Sequence, residues 1–117
     1  MRPVWLCPLR LRERPGEGPD RVRTWPSYPL EPGTTYVNVG FWGTVHVGAD
    51  APNAPTNRAI EDAVHALGGH KSLYSEAFYD ADTFDRLYDG ANLAEVKAQY
   101  DPDGRLSTLY DKAVRQR

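Results

Sequence analysis

The sequence is short of sulfur. Its 117 residues include one cysteine and one methionine, so the chain supports neither an internal disulfide nor a multi-cysteine metal site. A lone thiol agrees with a reducing compartment, and the location expected is cytoplasmic. Long apolar runs are lacking too. Nothing approaches the roughly 20 consecutive apolar residues that span a bilayer, and the opening Met1-Arg2-Pro3-Val4-Trp5-Leu6-Cys7-Pro8 is too short and too bracketed by proline for a signal peptide. Nor is there a surplus of charge of one sign. Lys and Arg number 14 against 16 Asp and Glu, a formal net charge of −2, and the arginines are scattered among carboxylates. That leaves no basic stripe for nucleic acid. His46, His65 and His70 stand apart without matching carboxylates, so no metal site is expected. Hydrophobic residues make up 40%, with ten prolines and ten glycines, a thin supply for an independent core that points to part of a larger domain.

The apolar residues that are present fall into short periodic blocks. Val4-Trp5-Leu6-Cys7 between prolines predicts a strand over 3–9. Residues 13–34 are a polar connection rich in Pro, Gly and Arg, either a surface excursion or a functional flap. Its arginine-rich start, 10–23, is either solvated or lies over a pocket mouth. Tyr36, Val37, Val39, Phe41, Trp42, Val45 and Val47 predict a second strand over 35–47. Gly40 and Gly43 within it mark a bulge or a close approach of ligand or backbone. Ile60, Ala63, Val64 and Leu67 stripe a helix over 54–67, with Asn53 or Thr56 as cap, Pro55 in the first turn and Gly68-Gly69 as its stop. A third strand is expected over 70–75.

Beyond Tyr79 the pattern turns helical. Asp80 or Asp82 caps a helix carrying Phe84, Leu87 and Tyr88, ended by Asp89-Gly90. Asn92 and Glu95 form a capping-box start for the next. Asp101-Pro102-Asp103-Gly104 predicts a turn. Leu106, Leu109, Tyr110 and Ala113 stripe a last helix closed by Arg115 and Arg117. The fold class expected is α+β: a partial antiparallel sheet with helices on one face over 1–79, then a helical tail over 80–117.

Several of these blocks, taken in order, resemble a known family. Pro3-Val4-Trp5-Leu6-Cys7-Pro8, Tyr36-Val37-Asn38-Val39-Gly40-Phe41-Trp42-Gly43, the stretch Gly69 to Tyr79 with its Leu73-Tyr74 pair, Leu87-Tyr88-Asp89-Gly90 and Leu109-Tyr110-Asp111-Lys112 are similar to the C-terminal end of FAD-dependent oxidoreductases of the vanillyl-alcohol-oxidase type, in particular the sterol-reductase branch. Lys97…Tyr100-Asp101-Pro102 is shared more widely in that superfamily. The resemblance implies that residues 1–79 are the second half of a substrate (cap) domain and 80–117 a tail that packs on an upstream FAD domain, or its separate chain, which this sequence does not contain. It implies FAD as cofactor, a lipid-like substrate, hydride transfer, and membrane association of the full-length enzyme, with the present chain incomplete and inactive alone. Ala77 stands where related carbohydrate oxidoreductases carry a lysine, which disfavours a sugar substrate. The rival expectation is a stand-alone α+β binding or assembly module.

Five residues are candidates for the site. Tyr74 is either a catalytic phenol near a flavin or a packed strand tyrosine. Lys71 is either a cation facing the reduced flavin or a solvated strand residue. Tyr36, Asn38 and Trp42, on the strand with two glycines, are expected to bind substrate, with Phe41 and Trp42 also suited to core packing. His65 is expected to pair with Glu61 one helical turn earlier, His70 to sit at a turn edge, and Cys7 to be a small buried hydrophobe.

Overall fold

A computed structural model describes residues 3–11, 27–28, 30–31 and 33–115. The long polar connection lies mostly outside the described residues, as does Arg117, so the flap expected over 13–34 and the mouth-covering role of 10–23 are not addressed by it. The chain divides into two units, residues 1–47 and 48–117. Together they hold a two-stranded antiparallel sheet and a set of helices ending in a helical C-terminal part, the small α+β class expected.

The first unit is a hairpin of β1 (Val4–Arg10) and β2 (Thr35–Phe41), paired from Val4↔Phe41 to Arg10↔Thr35. Side chains alternate across a strand, so this register puts Val4, Leu6, Pro8, Val37, Val39 and Phe41 on one face. The other face carries Trp5, Cys7 and Leu9 with Tyr36, Asn38 and Gly40. A Cβ on Gly40 would meet Trp5 Cε3 at 3.1 Å and Trp42 Cη2 at 3.7 Å. The space that a glycine in this strand leaves for a ligand ring is filled by the chain's own tryptophans. β2 stops at Phe41, short of the Val47 expected. Its ladder ends where Trp42 N–H reaches the Pro3 carbonyl at 3.4 Å, and backbone beyond that has no strand to pair with among the described residues.

The second unit begins with α1 (Pro55–Ala66). Pro55 takes the first position, as expected, but neither Asn53 nor Thr56 caps the helix. The N-cap is Ala54 at φ 51°, without a side-chain cap. At the other end Gly68 N–H bonds His65 O (2.9 Å) and Gly69 N–H bonds Val64 O (2.8 Å), with Gly68 at φ 71°, a Schellman stop. The buried face differs from the expected stripe: Leu67 is 87% exposed, whereas Glu61 is 3% exposed. α2 (Ala81–Tyr88) starts at Asp80, whose carboxylate accepts from Thr83 N–H at 2.8 Å and holds the Asp80 carboxyl below its ordinary range. α3 (Gly90–Tyr100) starts at Asp89, not Asn92. The expected last helix shortens to a π-helical turn over Asp111–Arg115, and Leu106 stays exposed outside it.

The core of this unit is aromatic. Phe84 and Tyr88, each 1% exposed, stack at 4.5 Å, and Tyr110 meets Phe84 edge-on at 5.3 Å. Such pairs contribute beyond the area they bury. Of the tail's apolar residues, Phe84, Tyr88 and Tyr110 are therefore packed together, while Leu106 is exposed. Nowhere among the described residues is a helix long and apolar enough to cross a membrane.

Candidate functional site

The third strand expected over 70–75 is not formed. Residues 69–79 run irregularly between α1 and α2, with a turn at 73–75. Backbone groups in this stretch and just after it are engaged by other parts of the unit. Tyr88 Oη donates to the Lys71 carbonyl (2.7 Å), and Lys71 Nζ donates to the Glu76 carbonyl (2.5 Å). Phe78 N–H donates to both oxygens of Glu61 (3.1 and 3.2 Å), and Ala77 N–H to Ala113 O (2.9 Å).

Glu61 organises the segment. Its carboxylate sits at 3% exposure, where an isolated charge is costly, and Lys71 Nζ at 2.5 Å compensates it. The expected His65–Glu61 pairing is replaced by this one. Lys71 itself is 17% exposed, directed at Glu61 and Glu76 O and 5.7 Å from the centroid of the Phe78 ring. His70 is more than a turn-edge residue, since its ring packs on Tyr88 at 4.7 Å.

This frame pins the loop at Lys71, Ala77 and Phe78 and leaves its tip, Leu73-Tyr74-Ser75, projecting. Tyr74 is 87% exposed, with its ring presented on a turn instead of packed in a sheet. Beside it lies an open hollow of about 560 Å³ lined by Tyr74, Leu73, Ser75, Glu76, Asn57 and residues of the closing turn. An exposed phenol above an open hollow can donate a hydrogen bond to a docked molecule. The neighbouring Tyr79 is differently set: burial first, then the charges of Glu61 and Asp62, push its hydroxyl up to about 12, so it stays a neutral donor. Among the described residues no cluster of His, Cys, Asp or Glu suits a metal ion.

The other candidates lie in the hairpin unit. Tyr36 and Asn38 are half-buried on the same face, Asn38 opposite Cys7, and Tyr36 Oη accepts from Glu31 N–H at 3.0 Å. Cys7 is half-buried rather than buried. Trp42 is 61% exposed just past β2. Within this unit Tyr36, Asn38 and Trp42 are spread along β2 from its start to just past its end; Lys71 and Tyr74 belong to the other unit. Sequence reasoning missed Glu61, because a carboxylate on a helix flank carries no mark of burial. It also missed Asp101 as a hub, although Lys97 four residues earlier was a usable signal.

Comparison with known proteins returns few relatives. Curated Delta(24)-sterol reductases of Rattus norvegicus and Mus musculus are each 24% identical to this chain over 110 residues, or 94% of it. The match occupies 20% of either relative, so the chain spans about a fifth of their length. No family model matches, and no solved structure does. Over almost its whole length the chain is thus distantly similar to a sterol reductase, an oxidoreductase.

Proposed function

We propose that this chain is the C-terminal, substrate-domain portion of an FAD-dependent, sterol-reductase-like oxidoreductase acting on a C=C bond of a lipid-like molecule. The observation that carries the proposal is the sterol-reductase similarity over 94% of the chain, which includes the pinned turn bearing Tyr74. Flavin phosphates need a glycine-rich turn opening a helix, and no described helix here starts that way. FAD in this proposal is held by an upstream domain or a separate chain, and when bound it supplies the hydride chemistry. The part assigned to this chain is to wall the pocket and exclude water. Tyr36, Asn38 and Trp42 are proposed to contact substrate, and the Tyr74 phenol to hold or give a proton at its Oη. Lys71 contributes by closing the Tyr74 turn from within.

Two measurements test this. The purified chain alone should be colourless, and stoichiometric bound flavin would contradict the division of labour. In the full-length enzyme, Tyr74→Phe should keep flavin content and fold while turnover drops by about 10²-fold, the lower end of general acid–base contributions. A change confined to KM would make Tyr74 a binding residue only. Tyr28→Phe in the long loop is the control, and kinetics unchanged in both variants would remove Tyr74 from the site.

A further inference from the structure

A second hollow, of about 750 Å³, lies within the 48–117 unit and shares only Asn57 and Glu76 with the one at Tyr74. Two guanidinium groups line it, and both are held in place before any ligand arrives. Arg58 donates through Nε to Asn53 O (3.0 Å) and through Nη1 to Phe78 O (2.8 Å), with its Cζ 5.7 Å from the centroid of the Phe78 ring. Arg115 donates through Nη1 to Asp111 Oδ1 (3.2 Å), with its Cζ 5.1 Å from the centroid of the Tyr110 ring. A guanidinium has five N–H donors, and among the described residues these contacts leave Nη2 of each arginine uncommitted. A pre-positioned fork loses little freedom when an oxyanion binds it.

Arg58 is the cation of this hollow that an anion can use. The partners of Arg58 are backbone carbonyls, and no described carboxylate lies within ion-pair distance of it. Arg115 is paired with Asp111, and Glu76 is the one carboxylate among the lining residues. The start of α1 opens on the same hollow, and its first-turn N–H groups have no side-chain cap, which adds the positive end of a helix to the two cations. Together the free fork of Arg58 and the helix start suit an anion with several oxygens on one centre. Phe78, Tyr79 and Tyr110 supply aromatic side chains to a lining that is otherwise mainly polar.

We propose that this hollow binds a phosphate monoester of a small organic molecule, its phosphoryl oxygens on Arg58 and Arg115 and its carbon skeleton against the aromatic wall. The site is independent of the redox role assigned above.

The test uses the full chain, isotope-labelled for NMR and titrated with phenyl phosphate, inorganic phosphate and benzoate. The expected result is saturable shifts at Asn57, Phe78 and the two arginine Nε–H groups with phenyl phosphate. Inorganic phosphate should compete, and benzoate should bind about tenfold more weakly or worse. Arg115→Gln should weaken phenyl phosphate by about tenfold or more, the scale of a lost charge-assisted hydrogen bond. Arg115 is exposed on the last turn, so this variant spares the core, whereas Arg58→Lys keeps the charge and loses the fork and should fall between. Tyr74→Phe should leave the affinity unchanged. Shifts that stay linear throughout, equal binding of benzoate, an unaltered affinity in Arg115→Gln, or a matching loss in Tyr74→Phe would each overturn the proposal.

Discussion

Asp101 closes a helix, a turn and the chain beyond it with one carboxylate. It accepts from Lys97 Nζ and from the N–H groups of Arg105 (2.9 Å) and Leu106 (3.0 Å), while Lys97 also donates to Leu106 O at 2.6 Å. The Lys97 hydrogen bond first, then the Leu106 N–H, hold the Asp101 carboxyl down at about 2, from an ordinary 3.8. A folded-state value below the unfolded one means stability that is present above 3.8 and lost as pH falls through about 2. Asp101→Asn keeps the shape and removes the charge. We therefore expect a lower Tm at neutral pH and a shallower fall of Tm between pH 3.8 and about 2, read from melts in a pH series. Some slope should persist, because Asp80 and Asp111 are depressed in the same direction. The turn itself was legible, since Pro102 and Gly104 punctuate it and Gly104 does adopt φ 64°. That the turn folds two amides back onto Asp101 was not, because the acceptor and donors meet only once that torsion is set.

At the scale of elements, the junction between α2 and α3 rests on two adjacent residues. Asp89, at φ 53° and ψ 64°, ends α2 by donating its N–H to Asp85 O and starts α3 by accepting Asn92 N–H at 3.3 Å. Asp89→Ala loses the cap yet keeps the left-handed torsion, at a cost of about 1–2 kcal/mol in urea unfolding. Asp89→Gly loses the cap but relieves the torsion, so it should be the milder change. Gly90 is needed for closeness: a Cβ there would lie 2.4 Å from Asp85 Cγ, and Gly90→Ala should destabilise by about 1–3 kcal/mol through overpacking. Ala54 is the opposite case. It adopts φ 51° with a side chain, so Ala54→Gly should stabilise by up to about 1 kcal/mol. Helix existence and the glycine stops were readable from spacing, which is a local property. The start of α3 was misplaced because Asn92 and Glu95 mimic a capping box, while the true cap was hidden in a residue that looked like a terminator. The strand over 70–75 failed for a longer-range reason: Tyr88, 17 residues away, claims the Lys71 carbonyl, and Glu61, 10 residues away, draws in the Lys71 side chain.

The molecule as a whole has a helical unit whose aromatic stripe is buried and a hairpin whose apolar face is not. Phe84 and Tyr88 are 1% exposed, whereas Val4 and Leu6 are each 62% exposed, Val37 55%, Val39 53% and Phe41 56%. These five side chains share one face of β1 and β2 by register, with Leu6 opposite Val39 and Val4 opposite Phe41. A two-stranded hairpin is marginal in water without something against its apolar face, and contiguous patches of this kind drive association. Self-association of the isolated chain should therefore come from the hairpin. We expect sedimentation of the purified chain to show concentration-dependent oligomers. Leu6→Lys with Val39→Lys should shift them to monomer while the helical circular dichroism is kept, because the core around Phe84 is in the other unit. Leu106→Lys is the control: Leu106 is 69% exposed but belongs to the helical unit, and the same charge there should leave association in place. A monomeric wild type with one sharp melt would show that the hairpin face needs no cover, and dispersal by Leu106→Lys alone would place association in the helical unit.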